Sequence, residues 1–260
     1  MLSTSIDSPL RISRRTHLCI IGLGLAFSAC ACRDTATRPS EPPSTTTSNT
    51  VSEPAAPRCD YPIDKVRTRW TKDIEGCGEL LAIIETSAGA LRCTLYELEV
   101  PRTVDHFVAL ALGLKSWKDP LTGEQVQRPL YQDLVFHRLI PGLIIQTGDP
   151  TNTGEGHPGY FIDDEIVDGL SHDAVGVLSM AQTQPNGNGS QFFITDGKAK
   201  QLDGRYTIFG RCEPEDLIHA IANAESDGNG RPLSPTRLIR IRIERAPSEE
   251  GAEALPDEEQ

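Results

Sequence analysis

Two stretches carry the side chains of this sequence that could do chemistry: Phe136-His-Arg-Leu-Ile-Pro-Gly-Leu-Ile-Ile-Gln146 and Leu178-Ser-Met-Ala-Gln-Thr-Gln-Pro-Asn-Gly-Asn-Gly-Ser-Gln-Phe-Phe-Ile194. From them we single out Arg138, Gln146, Gln191 and Phe193, set among β-rich apolar runs with no nucleophile and no metal cluster beside them. Ser190 lacks the glycine two residues later that a nucleophile elbow requires. His106, His157, His172 and His219 follow no ligand spacing. An arginine is always charged and presents several donors in a rigid fork; a phenylalanine offers an apolar floor. This set suits a reaction that breaks no covalent bond, in which a fixed donor stabilises a distorted substrate more than its relaxed forms. No cofactor and no metal are expected.

Short strands must position these groups. Residues 80–86 and 90–96 are apolar or alternating runs around Ser87-Ala-Gly89, a hairpin signal. Pro101 opens a helical pattern in which Val104, Phe107, Val108 and Ala111 share a face, ending at Gly113. Residues 115–129 read as a polar surface loop. Strands are expected at 134–138 and 143–147 around Pro141-Gly142, then at 177–180, 191–195 and 206–211, with a long functional or locally packed loop over 148–176. Pro214 suits the first turn of a second helix near 214–225, with Leu217, Ile218 and Ile221 on one face. In Ile239-Arg-Ile-Arg-Ile-Glu244 the isoleucines are expected to point one way and the charges the other. The pattern is mainly β: an eight-stranded antiparallel barrel capped by two α-helices.

Composition divides the 260 residues further. Arg11, Arg14 and Arg15 precede an apolar run from Leu18 to Ala29, the length of a signal-peptide core and short for a membrane span. The run ends in small residues before Cys30. That end resembles a bacterial lipobox, with 1–29 removed and Cys30 lipidated as the mature N-terminus; Cys32 is the less well placed alternative. Residues 30–57 are Ser/Thr/Pro-rich and read as a tether. A pre-domain segment follows over 58–79, the folded domain over 80–246 and an acidic tail over 247–260. These features imply a cell-envelope lipoprotein facing the periplasm, or a secreted or periplasmic protein if the lipobox is unused. Six acids of the tail supply half of the net charge of −12, and no basic stripe points to nucleic acid. No helical seam or heptad suggests a dimer, and a monomer is the expectation.

Four of the seven cysteines fall after the export segment: Cys59, Cys77, Cys93 and Cys212. An oxidising compartment makes disulfides expected. Cys59 with Cys77 is the first candidate pair, Cys93 and Cys212 are alternatively buried thiols, and three complete pairings remain open. Asp163, Asp164, Glu165, Asp168 and Asp173 lack the spacing of a calcium loop and read as a solvated acidic surface.

The two chemistry-bearing stretches closely resemble the signature stretches of cyclophilins, the peptidyl-prolyl cis/trans isomerases. The resemblance runs from about 80 to 246, with Leu202-Asp-Gly204 and Phe209-Gly210 adding to it. It implies that Arg138 is the catalytic arginine, that Gln146 lies near the substrate backbone, and that Phe193 is the floor of a proline pocket, these three forming the catalytic set. It further implies substrate contacts from Leu143, Ile144, Met180, Ala181, Gln182, Gln191, Gln201, Leu202 and Tyr206. Leu143 and Ile144 stand where the family often has phenylalanine and methionine, Gln182 where it has asparagine, Tyr206 where histidine is frequent, and Gln201 where many members have tryptophan. Rotation about an X-Pro bond faces a barrier of about 18–20 kcal/mol. The twisted amide has a basic, pyramidal nitrogen, and a cationic donor aimed at it stabilises that form selectively. The resemblance thus implies an isomerase acting on proline-containing polypeptides of the envelope. The alternative is a catalytically weak peptide-binding or chaperone module on the same fold.

Overall fold

The computed structural model describes residues 61–62 and 68–247. The expected signal peptide, Cys30, the tether and the acidic tail beyond 247 lie outside the described residues. An apolar run buried along nearly its whole length and an alternating one form the hairpin β1 (Leu80–Thr86) and β2 (Gly89–Leu95). Its turn is only Ser87-Ala88, because Gly89 already pairs with Thr86. The Thr86 hydroxyl accepts from the Ala88 N–H and donates to the Gly89 carbonyl.

Helix α1 (Pro101–Leu112) follows, with Val104, Phe107, Val108 and Ala111 all buried, and Gly113 closes it in the left-handed conformation. Its start has no local side-chain cap. Glu165, far along the chain, supplies one instead. Its carboxylate accepts from the Thr103 N–H at 2.6 Å and hydroxyl at 2.7 Å, and from Arg102 at 3.1 Å. Asp164 is likewise occupied, accepting from the Asn186 N–H and the Asn188 amide. Part of the acidic group therefore serves as caps and loop ties. Replacing Glu165 by Ala is expected to destabilise the fold by about 0.5–2 kcal/mol, the range for a lost helix cap, as measured by urea unfolding.

The 115–129 loop is more ordered than its composition suggested: β3 (Trp117–Lys118) pairs with β4 (Gln125–Val126), and Trp117 is buried with its indole N–H on the Arg128 carbonyl. The chain continues through β5 (Gln132–Val135), β6 (Arg138–Ile140), β7 (Ile144–Thr147), β8 (Val177–Met180), β9 (Phe192–Thr195), a 3₁₀ turn (Lys200–Leu202), β10 (Ile208–Glu213), α2 (Glu215–Ala222) and β11 (Arg237–Arg245). Pro214 is the residue before α2, one position earlier than expected.

Nine strands make one antiparallel sheet in the order β5-β11-β1-β2-β10-β8-β9-β7-β6. The mainly β class with two helices holds, and the main sheet has nine strands where eight were expected because the 134–138 run is two strands, with β3 and β4 forming a separate pair. Its halves are the two opposite edges of the sheet. Phe136 N–H still bonds Thr236 on the β11 side, while His137 N–H bonds Gln146 on the β7 side. The chain leaves one edge and joins the other within two residues, which curls the sheet around its core. Phe107, Tyr131, Phe192 and Phe209 fill that core, with ring centroids 5.0–5.5 Å apart.

Two expectations are corrected. Leu238 and Ile241 are buried while Ile239 is exposed, because a bulge opposite Glu85 and Thr86 inserts Ile239 and shifts the alternation. Cys93 and Cys212 are not free thiols. They are register partners on β2 and β10 and are joined by a disulfide. Cys77 is also disulfide-bonded, and Cys59 lies outside the described residues.

Candidate functional site

The register of three strands assembles the site. Arg138 on β6 pairs with Gln146 on β7, which pairs with Phe193 on β9. Cross-strand partners project on the same face, so one row carries a cation, an amide and a ring. The row opens into a cavity of about 780 Å³. Leu143, Ile144, Ala181, Gln182, Gln191, Leu202 and Tyr206 line it together with that row.

Arg138 is exposed. Its Nη1 reaches Gln146 Oε1 only at 3.5 Å, and among the described residues no carboxylate forms an ion pair with it. The guanidinium therefore faces the cavity with donors to spare. Gln146 Nε2 donates to Gln191 Oε1 at 2.9 Å, and Gln191 Nε2 donates to the Gly154 and Gly156 carbonyls, each at 2.9 Å. The Gln191 amide is thus engaged on both sides. It buttresses Gln146 and the 154–156 loop as well as lining the cavity. Gln182 is similarly tied, donating to the Arg205 carbonyl and accepting from the Gly187 N–H.

Phe193 is only 3 % exposed. Tyr206 meets it edge-on at 5.5 Å, and the His172 ring stacks against it at 5.8 Å. His172 is itself held between Asp203 Oδ1 and Ser179 Oγ, both at 2.8 Å. Burial holds its pKa below the usual histidine value, against the raising effect of Asp203. An imidazole with both nitrogens hydrogen-bonded gives the phenyl ring a rigid backing.

Two expected contacts fall outside the site. Met180 is fully buried in the core. It follows Ser179, which pairs with Phe193, so alternation sends the methionine to the opposite face. Gln201 is exposed and does not line the cavity. On a 3₁₀ turn its neighbour Leu202 is rotated by about 120°, and only Leu202 points inward.

Other lining residues were not foreseen. His137 lines the cavity beside Arg138, although strand alternation would send adjacent side chains to opposite faces. It sits in the two-residue crossing between β5 and β6, where that period does not apply. Its pKa is lowered, chiefly by burial. The 149–156 loop forms another wall and is organised by Asp149, whose carboxylate accepts from the Thr151 N–H at 2.6 Å, the Thr153 N–H at 3.0 Å and the Gly154 N–H. Burial pushes the Asp149 carboxyl up, but the donors of Thr151, Gly156 and Gly154 outweigh it and hold it below the usual range. A Cβ on Gly156 would meet Asp149 Oδ1 at 1.9 Å, so the loop needs glycine there. The Asp149-Pro-Thr-Asn-Thr-Gly run is the legible signal for this turn.

His106, buried on α1, holds the cavity-lining Gly189 through a 2.6 Å bond from Nε2 to its carbonyl. Burial pushes its pKa from 6.5 down to about 4, the Gly189 bond acting the other way. The unfolded chain therefore binds a proton that the fold refuses between those values. This contribution to stability is complete above about pH 6.5 and is lost as the pH falls toward 4. Urea midpoints are expected to fall over that window in the parent and to fall less in His106→Gln.

A family model described as "Cyclophilin type peptidyl-prolyl cis-trans isomerase/CLD" matches residues 81–243. Similar proteins include the "Probable peptidyl-prolyl cis-trans isomerase A" of Mycobacterium bovis, 41% identical over 165 residues, covering 62% of this chain and 91% of the relative. The "Peptidyl-prolyl cis-trans isomerase-like 1" of Emericella nidulans is 38% identical over 170 residues, covering 64% of this chain and 96% of its own. Among solved structures, a Cryptosporidium parvum cyclophilin-type isomerase determined in the presence of the dipeptide Ala-Pro is similar, with a TM-score of 0.55 and 35% identity, over 64% of this chain and 99% of that one.

Proposed function

This chain belongs to the cyclophilin-type peptidyl-prolyl cis-trans isomerase family, and from that premise we propose that the Arg138–Gln146–Phe193 row is the centre at which it isomerises X-Pro bonds in polypeptides. The observation that carries this reading is a guanidinium that makes no ion pair among the described residues, set with a buried phenyl floor across one cavity by strand register. The proline ring is gripped against Phe193 by Leu143, Ile144, Ala181, Leu202 and Tyr206, so that one end of the amide is fixed while the other rotates. Conjugation holds the planar amide nitrogen's lone pair, and twisting releases it. The Arg138 donors then stabilise the twisted form more than either planar one. Gln146 aims the guanidinium and is aimed in turn by Gln191 and the 154–156 loop. A groove that only bound peptide would need the floor but not a cation with spare donors beside it.

The test is cis/trans exchange of an Ala-Pro peptide followed by NMR with the protein present. Accelerated exchange is expected, and an unchanged rate with measurable binding would leave peptide capture as the function.

The clients are proteins of the cell envelope, and the protein is anchored there through Cys30. Support comes from the basic residues Arg11, Arg14 and Arg15, the apolar run Leu18 to Ala29 and the small residues before the cysteine. Among the described residues no helix is long and apolar enough to cross a membrane. In a bacterial host, Cys30→Ser is expected to abolish both labelled-lipid incorporation and membrane fractionation. Retention of both would remove the lipoprotein assignment.

A further inference from the structure

The turn Pro141-Gly142-Leu143 between β6 and β7 delivers Leu143 and Ile144 to the cavity. Something outside the hairpin fixes its height. The Gly142 N–H donates to Asp196 Oδ2 at 2.7 Å, and the Asp196 N–H donates to the Leu143 carbonyl at 2.9 Å. The other carboxylate oxygen, Oδ1, takes a bond from His219 Nδ1 on α2. The Asp196 side chain is only 2 % exposed, whereas that of His219 is 46 % exposed. The next residue leaves no slack: a Cβ on Gly197 would meet the Gly142 carbonyl oxygen at 2.4 Å.

We propose that Asp196 is a positioning residue, clamping the 141–143 turn so that Leu143 stands at a fixed distance from the Phe193 floor. Asp196 directly follows β9, the strand that carries Phe193, so wall and floor are referenced to one element. A carboxylate suits the task because its two oxygens serve the turn and α2 at once, and a buried charge-assisted bond is stronger and more directional than a neutral one. The proposal rests on reading the cavity as the proline site.

The test is steady-state kinetics on an Ala-Pro peptide with the full chain and five variants: Leu143→Ala, Asp196→Ala, Asp196→Asn, Gly197→Ala and the Leu143→Ala/Asp196→Ala pair. Asp196→Ala is expected to lower kcat/KM about tenfold, within the range of contact couplings, through KM with kcat nearly held. Asp196→Asn keeps an acceptor for the Gly142 N–H and recovers most of the loss. Gly197→Ala, which pushes the turn while leaving the carboxylate intact, gives the same KM signature and carries the test if Asp196→Ala does not fold. In the Leu143→Ala background, Asp196→Ala adds little. Unchanged KM in both the Asp196 and Gly197 variants, or losses that multiply in the pair, would overturn the clamp. Leu143→Ala with parental KM would instead overturn the reading of Leu143 as a wall of the proline site, and the clamp's purpose with it.

Discussion

Arg138→Ala is expected to lower kcat/KM for an Ala-Pro peptide by about 10²–10³-fold, the loss that follows removal of one preorganised transition-state donor. The drop should lie in kcat with KM little changed, because the guanidinium is needed for the twisted amide and not for holding the planar one. Arg138→Lys should recover only part of the rate, since a point charge lacks the fork that reaches nitrogen and Gln146 together. Thermal stability should stay near parental, because Arg138 is exposed and among the described residues makes no ion pair. A variant within twofold of the parent would show that the cavity catalyses without this cation. The apolar grip on the ring would then be the whole of catalysis.

Glu97→Ala is expected to be the most destabilising single change considered. Glu97 and Arg245 have fully buried side chains, joined by bonds of 2.6 and 3.1 Å, and the arginine also donates to the Gly78 carbonyl at 3.2 Å. The pair ties the end of β11 and the segment before β1 to the turn that leads into α1. Removing the carboxylate strands a buried cation, which costs about 3–5 kcal/mol. For a domain of this size that lowers Tm by roughly 6–20 °C. The Glu97→Met/Arg245→Met double variant should regain much of it, because two apolar side chains leave no charge uncompensated. A loss below about 1 kcal/mol in the single variant would mean that water reaches Arg245 once the carboxylate is gone.

Legibility followed the range of the interactions involved. Helix α1 was readable because its apolar face repeats locally and Gly113 closes it, whereas the cap on its first turn was not, since Glu165 arrives from another part of the chain. Strand existence was readable, but the β5–β6 crossing was not. A short run of strand-forming residues looks like one strand until tertiary pairing assigns its halves to different edges. The same crossing brings His137 to the cavity against the period-2 rule. The bulge at Ile239 and the Cys93–Cys212 bond both depend on which residues stand opposite each other across strands. Nothing near either cysteine encodes that.

The sequence by itself determined the chemistry on offer: a permanent cation, amides and an aromatic floor, within stretches specific enough to mark a family and its mainly β fold. Residue type fixes what a group can donate, accept or cover, and short-range periodicity fixes which element carries it. Only the tertiary structure decided which groups meet. Cross-strand register put Arg138, Gln146 and Phe193 in one row and turned Met180 into the core, while the 3₁₀ turn carried Gln201 outward. Side-chain hydrogen bonds outside the strands placed His172 behind the ring and Asp196 beneath the turn. These are contacts between residues distant along the chain, and their geometry exists only once the sheet has curled and paired.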